Sequence, residues 1–401
     1  MNPWPVAQAA LRRGWRTALA MALLVALATA LGTGLGALER GLRRAAAQAA
    51  DAFDLVVGAP GSATQLVLTT VYLQPDTVPL LDGAILARVM AEPEILWASP
   101  VGFGDQWRGH PVVGVTAAFL TRGGQRALAA GRVFGAEQEA VIGAGVVLPL
   151  GAKITPQHGR VEIPDGGMTH AELAYEVVGR LSATGTAWDR AILVPIESVW
   201  ETHGLGNGHP PGVERIDPPW EAAVPGVPAV VVKPASIAGA YQLRARYRAA
   251  GSTAVFPGEV LAALFRTMGD MRTVLSAMAA AGAVLVVAAV FLAFTAVVAA
   301  RAREHAVLRA VGAPPGFIVA ALWLELGVVL AVGVLGGMGL GWAAAAAAGS
   351  ALGRTAGLSV NVALGGAEIG LAVAVLLGGL FAAAIPAVLS GRTAPGAALK
   401  R

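Results

Sequence analysis

Long apolar runs, each with no charge or a single one inside it, dominate this chain of 401 residues. A helix needs roughly 20 predominantly apolar residues to cross the ~30 Å hydrocarbon core of a bilayer. No charged residue lies between Arg16 and Glu39, and TALAMALLVALATALGTGLGAL supplies a first span. A second lies between Arg272 and Arg301, a third starts after Pro315 and reaches about Ala348 with only Glu325 inside it, and a fourth runs from Ile369 to Leu389. The third run is too short for two spans and a turn. With 56% hydrophobic and only 13% charged residues, the chain lies outside the range of ordinary globular proteins. The first run is read as an uncleaved span rather than a signal peptide, because it continues into the charged helical stretch ERGLRRAAAQAADAF.

Basic residues near span ends set the expected orientation. Arg12, Arg13 and Arg16 precede the first span, Arg301, Arg303 and Arg309 separate the second from the third, and Arg392, Lys400 and Arg401 follow the fourth. All fall on one face, which places both termini of this multi-pass protein in the cytoplasm. Arg40, Arg43, Arg44, Arg266 and Arg272 argue the other way, but they belong to a long loop, whose charges count for less. The net charge of +4 comes without a nucleic-acid motif, so no nucleic-acid partner is expected and membrane lipids are. Cysteine is absent, which excludes disulfides and thiolate sites.

The expected fold is therefore a membrane protein with four transmembrane α-helices and an α+β extracytoplasmic domain inserted between spans one and two. The boundaries read as a cytoplasmic N-terminus with the first span and its extension (1–44), the outside domain (45–265), the second span (266–300), a cytoplasmic connector helix (301–315), the third span (316–348), a short outside loop (349–367), the fourth span (368–390) and a cytoplasmic tail (391–401). In the domain, AYEVVGRL, AILVPI and AVVVKP read as strands, and DGAILARVMAE and SIAGAYQLRARYRA as helices. Residues 204–228, rich in Gly and Pro, read as an exposed loop. No binding pocket is identifiable in this domain from sequence.

Motifs for chemistry are sparse. The chain has no GxxxxGK[ST] phosphate loop, no HExxH and no GxSxG, so it is read as a non-enzyme with no cofactor of its own. His203 and His209, near Glu214 and Asp217, could gather a metal, but loop spacing fixes no geometry and solvated loop histidines are the preferred reading. Asp105, Asp189 and Glu197 read as isolated surface or turn carboxylates. Glu325 lies about 13 Å into the third helix. It is either a proton-coupling group or an interfacial carboxylate that positions the connector, and its depth favours the second. Gly333, Gly337 and Gly341 share one helix face, as do Gly32 and Gly36, a spacing that admits close helix packing or reflects an Ala/Gly-rich chain.

The connector, RAREHAVLRAVGAPPGFI, is a short charged helix ended by Gly312, Pro314 and Pro315. With the following span it resembles the FtsX-like permease family, which includes MacB-type ABC transporters. The matching positions are Arg303, Glu304, Leu308, Arg309, Gly312, Ala313, Glu325 and the glycines from Gly333 to Gly341. The tail IPAVLSGRTAPGAALKR, through Pro386, Ala387, Pro395, Ala398, Leu399 and Lys400, is similar to the family's ending. EAVIGAGVVLPLGAKI resembles a strand, helix and Gly-turn pattern of the MacB-type outside domain.

This resemblance implies the permease subunit of an ABC transporter, paired with itself or a paralogue and driven by separate cytoplasmic ATPase subunits that hold ATP and Mg. The connector would be the coupling helix, with Leu308 as apolar anchor and Arg303, Glu304 and Arg309 as polar contacts, flanked by Gly312 and Ala313. Its motion would rearrange the outside domain by mechanotransmission, exporting or extracting a lipid, lipoprotein, peptide or hydrophobic compound. The alternative is a non-transporting transducer that activates an envelope hydrolase; a metal-linked binding module built on His203 and His209 stands third.

Overall fold

In the computed structural model, residues 2–158, 174–221, 223–249, 251–267 and 269–392 are described. The chain forms two compact units, one of residues 1–43, 268–351 and 360–401, the other of 44–267 and 352–359. The tail residues Pro395, Ala398, Leu399, Lys400 and Arg401 lie outside the described residues.

Among the described residues, four helices, all lying wholly or mainly in the first unit, are long and apolar enough to cross a membrane. They belong to the elements Trp15–Asp51, Gly269–Ala300, Pro315–Ala356 and Gly366–Arg392. The first ends inside the charged helical stretch expected to continue it, and the third runs beyond the end expected at 348. The third helix continues through GSALGRTA despite its two glycines and stops only at Gly357, whose φ of +70° a side chain would resist. There Leu358 N–H closes on the Gly353 carbonyl at 2.9 Å, a Schellman-type end.

Small residues set how closely the first and third helices approach. A Cβ added at Gly333, Gly337 or Gly341 would lie 2.8, 2.5 and 2.5 Å from the carbonyl oxygens of Ala22, Ala26 and Ala30. Gly34 faces Gly341 from the other side of the same contact. Gly32 and Gly36 face the fourth helix instead, against the side chains of Leu371 and Glu368. Glu368 is 3% exposed and is ion-paired with Arg40, and it accepts the Gly365 N–H at 2.9 Å. Arg40 is thus neutralised locally rather than acting as a free orientation signal.

The second unit is a mixed α/β domain around an eleven-stranded sheet. Its strands are β1 (Leu55–Gly58), β2 (Ile95–Trp107), β3 (His110–Val115), β4 (Ala130–Gly131), β5 (Glu139–Ile142), β6 (Lys153–Ile154), β7 (Gln157–His158), β8 (Tyr175–Arg180), β9 (Ile192–Pro195), β10 (Ala229–Pro234) and β11 (Thr253–Val255). The order is β11-β1-β10-β2-β3-β9-β5-β8-β4, with β6 on β8 and β7 on β2. The Val-rich runs β1 and β10 are buried on both faces and pair antiparallel at the centre of one half. The alternating run β8 keeps one side wetter, in pattern with its sequence. The turn joining β2 to β3 uses Arg108 and Gly109 at φ of +46° and +77°, the left-handed pair that a two-residue hairpin requires.

Two sequence expectations fail here. GAGVVLPLGA after β5 forms turns, not a helix, because Gly143 packs onto the carbonyl oxygen of Trp188, at 2.5 Å from where a Cβ would stand, and Pro149 follows. Residues 204–228 do lack regular structure but are not simply exposed. Glu197 is completely buried, and its Oε1 accepts the Asp217 N–H at 3.0 Å and the Trp220 indole N–H at 2.8 Å. Trp220 also packs edge-on to Trp200 with centroids 5.4 Å apart. Glu197, read as an isolated surface or turn carboxylate, is in fact the peg that holds this loop.

Burial pushes the Glu197 carboxyl up to about 7, and burial together with a hydrogen bond to Glu201 pushes Glu137 up to about 7 as well. Both folded values exceed the unfolded value of 4.5, so the folded domain holds more protons than the unfolded chain between about 4.5 and about 7. Stability therefore falls as pH rises through that window and levels off above it. Glu197→Gln is expected to remove its share of the slope, up to about 1.4 kcal/mol per pH unit. Thermal unfolding of the domain at pH 5 and pH 8 checks this; a slope unchanged in the variant would exclude Glu197 as its source.

Two arginines grip helix ends inside this domain. The Arg122 guanidinium stands 5.2, 5.4 and 5.1 Å from the ring centroids of Phe53, Trp97 and Phe119 and donates to the Ala52 carbonyl at 2.9 Å. Arg190 donates to the carbonyls of Thr355 and Arg354, the latter at 3.5 Å, at the end of the third helix. Between these grips, Trp188 packs on Phe119 at 4.5 Å and on Phe53 at 5.9 Å. Asp189 fixes the same turn by accepting the N–H groups of Thr184 and Gly185 at 2.8 and 2.7 Å.

Candidate functional site at the connector

The connector folds as a helix over Ala302–Ala310 with Arg301 at its N-cap position. It ends where Gly312 N–H bonds to the Arg309 carbonyl and Ala313 N–H to the Leu308 carbonyl, both at 3.0 Å, with Gly312 at φ of +104°. Pro315 then opens the third helix at a position where a missing N–H costs nothing.

Its inner side is pinned by charge. Arg301 donates to both oxygens of Glu325, at 2.8 and 3.0 Å, and the two side chains are only 17% and 10% exposed. This ion pair, with Nη1 shared between the two carboxylate oxygens, ties the start of the connector to the third helix three turns in. A helix over Trp4–Arg13, not foreseen from the sequence, packs beside it. Its Ala10 carbonyl accepts from Arg301 at 3.4 Å, and its Arg13 pairs with Glu304 at 2.8 Å. Gly14, which ends that helix, leaves the space that the Arg301 guanidinium fills. His305 is half-buried, and burial holds its imidazole below the ordinary value.

The placement of the other candidate residues departs from expectation at one point. Leu308, expected as the outward apolar anchor, turns inward against the cluster of Phe294, Phe317, Ile318 and Leu322. Ala306 and Ala313 are buried with it, and Arg309 is half-buried. The outward face is instead Arg303, Val307 and Val311, spaced four residues apart along the helix, with Val307 49% and Val311 84% exposed. That i, i+4, i+8 stripe was present in the sequence. What hid it was the phase of the helix, which depends on how the inner side packs.

Elsewhere, His203 is exposed with Nδ1 at 2.7 Å from the Val199 carbonyl, while His209 is buried. Among the described residues no three His, Cys, Asp or Glu side chains converge in a way that could hold a metal ion.

Residues 276–395 match the FtsX-like permease C-terminal family. No curated protein matches the chain. Among solved structures, the periplasmic region of MacB from Actinobacillus actinomycetemcomitans is similar with a TM-score of 0.34 at 10% identity, over 52% of this chain and 91% of that one. The extracellular domain of the noncanonic ABC-type transporter YknZ from Gram-positive bacteria gives a TM-score of 0.30 at 11% identity, over 50% and 98%. The matched region takes in the connector and all of the third helix, the stretches that carried the resemblance in the sequence. In this chain, with its four helices long and apolar enough to cross a membrane among the described residues, the likeness to FtsX-like permeases resides in residues 276–395.

Proposed function

We propose that the chain works by mechanotransmission, with a separate cytoplasmic ATPase pushing on the connector and the displacement reaching the extracytoplasmic domain. In this reading both termini are cytoplasmic, and the permease acts as a homodimer or beside a paralogue. The substrate is an extracytoplasmic lipid, lipoprotein, peptide or hydrophobic compound that need not pass through the bilayer within this chain. The observation that carries the proposal is the polarity of the connector: its inner side is fastened by Arg301 to Glu325, and its outer side presents Val307 and Val311 bare. A helix fastened on one side and presenting exposed valines beside Arg303 on the other is suited to receive a partner and pass on its movement.

The roles follow from this geometry. Val307 and Val311 are the apolar anchors for a groove on the ATPase, Arg303 is the polar contact beside them, and Glu304 sits at the edge, paired with Arg13. Leu308, Arg309, Gly312 and Ala313 shape and seat the helix rather than meet the partner.

Affinity purification of tagged protein from native membranes tests the assignment. An ATPase subunit and ATP hydrolysis are expected with the wild type, and both are expected to be lost from Val307→Asp, Val311→Asp, which alters only exposed positions. Retention of the ATPase by this variant, with Leu308→Asp losing it while still well folded, would restore Leu308 as the anchor. No ATPase with any version, including after crosslinking in membranes, would remove the ABC reading of the connector.

A further inference from the structure

The extracytoplasmic domain contains a cleft of about 760 Å³ that no motif foreshadowed. Its volume lies in the range of about 300–1,000 Å³ typical of small-molecule sites. One wall is the irregular segment after the helix Ala63–Tyr72, a second is the β2–β3 hairpin, and a third is made by Arg190 together with Thr355 and Ala356 at the end of the third helix.

The lining has two chemical parts. Tyr72, Leu73, Val78, Leu80, Phe103 and Pro111 give an apolar surface large enough for a ring system or a branched aliphatic body. The charged residues on the wall are Asp76, Asp105 and Arg190, so two carboxylates against one guanidinium leave one negative charge in excess. Arg190 is already committed: it donates to Thr355, to Arg354 at 3.5 Å and to Gly109 at 3.1 Å, all backbone carbonyls. Asp76 differs. Its Oδ2 accepts from Gln65 at 2.9 Å and its Oδ1 from the Thr77 N–H at 2.8 Å. A carboxylate has about four lone-pair sites, so Asp76 retains capacity for a further donor. It is also exposed and held in orientation by those two bonds. The wall has committed its cation and kept acceptor capacity on its anion.

We infer that this cleft binds a cationic amphiphile, an apolar body carrying one ammonium or guanidinium group, with Asp76 receiving the cation and Phe103, Tyr72 and Leu80 receiving the body. As a statement about binding the inference stands on the cleft alone; as a statement about what the permease moves it rests on the proposed function. Because Thr355 and Ala356 belong to the end of the third helix, the site has a wall made from a membrane span's continuation. Displacement of that helix end would change the volume offered to the ligand.

The test uses the full chain in lipid nanodiscs without ATPase or ATP, so it cannot fail for want of the ATPase. The probe is dansylcadaverine, a primary amine on an aromatic body, compared with its neutral N-acetyl derivative and with empty nanodiscs as blank. The expected result is saturable binding of the amine above the blank, weakened about tenfold by Asp76→Asn, with the acetylated probe bound more weakly and indifferent to that change. Thr355→Trp, at an exposed position on the wall, is expected to narrow the cleft and weaken both signals. The inference is overturned if no saturable binding exceeds the blank, if the two probes bind alike, or if binding survives both substitutions at wild-type affinity. Absence of an ATPase from every version in the purification experiment, with probe binding intact, would overturn the ABC reading of the connector and leave the site standing.

Discussion

Gly337→Ile is expected to abolish the packed arrangement of the first and third helices. A Cβ at this position would stand 2.5 Å from the Ala26 carbonyl oxygen, 2.7 Å from the Thr29 Cβ and 3.0 Å from the Ala26 Cα. Two of those three atoms are backbone, which cannot turn aside as a side chain can. The helices must part along the whole contact, and Gly333 and Gly341 then lose theirs. Overpacking of a core usually costs about 1–3 kcal/mol, and here about 3 kcal/mol or more is expected because backbone meets backbone. Gly336→Ile and Gly339→Ile supply the comparison: nothing lies within 4 Å of a Cβ at either position, so changes within about 0.5 kcal/mol are expected. Thermal unfolding and monodispersity in one detergent read the difference. A Gly337→Ile protein as stable as these controls would mean that the glycine face is incidental.

Breaking the pair between Arg301 and Glu325 has an effect of similar size by a different route. Both side chains are largely buried, so Glu325→Ala leaves a guanidinium with little water and, among the described residues, the Ala10 carbonyl at 3.4 Å to answer it. Removing one partner of a buried ion pair typically costs about 3–5 kcal/mol, whereas replacing both with apolar residues of similar volume is often close to neutral. The double variant Arg301→Met, Glu325→Leu is therefore expected to recover most of the stability lost in either single one. A double-mutant cycle by thermal unfolding measures the coupling, and simple additivity of the two single effects would show that the groups do not act as a pair. The recovered protein also separates stability from function. If the connector works as proposed, the double variant retains the ATPase but hydrolyses ATP without the tight fastening that passes movement to the third helix.

Much of the architecture was legible because it depends on local composition. Charge-free runs fix where spans lie, Val-rich runs such as AVVVKP fix the central strands, and Gly312 with two prolines fixes where the connector stops. The features that escaped depend on what meets across long sequence separations. Arg301 and Glu325 are both visible as charges near a span, but nothing local says that they touch. Leu308 and Val307 are adjacent and both apolar, and which one turns outward is decided by the seat formed by Phe294 and Phe317. The helix Trp4–Arg13 is short, and its signals, Pro5 in the first turn and Arg12 and Arg13 in the last, read equally well as flanking charge before a span. Glu197 looked isolated because its partners, Asp217 and Trp220, lie in a loop whose composition suggests no structure at all.

The grips of Arg122 on the Ala52 carbonyl and Arg190 on the Thr355 carbonyl carry a directional consequence. An α-helix presents successive carbonyls along its length about 1.5 Å apart and, at 3.6 residues per turn, about 100° apart around its axis. A guanidinium held in place, Arg122 by the rings of Phe53, Trp97 and Phe119 and Arg190 by the Gly109 carbonyl, therefore engages one angular setting of the helix end and no other. Sliding by less than a residue stretches the contact, but rolling by one residue's angle takes the carbonyl out of reach. The domain is thus indexed to the azimuth of both helix ends, so torque about a helix axis would register there more sharply than thrust along it.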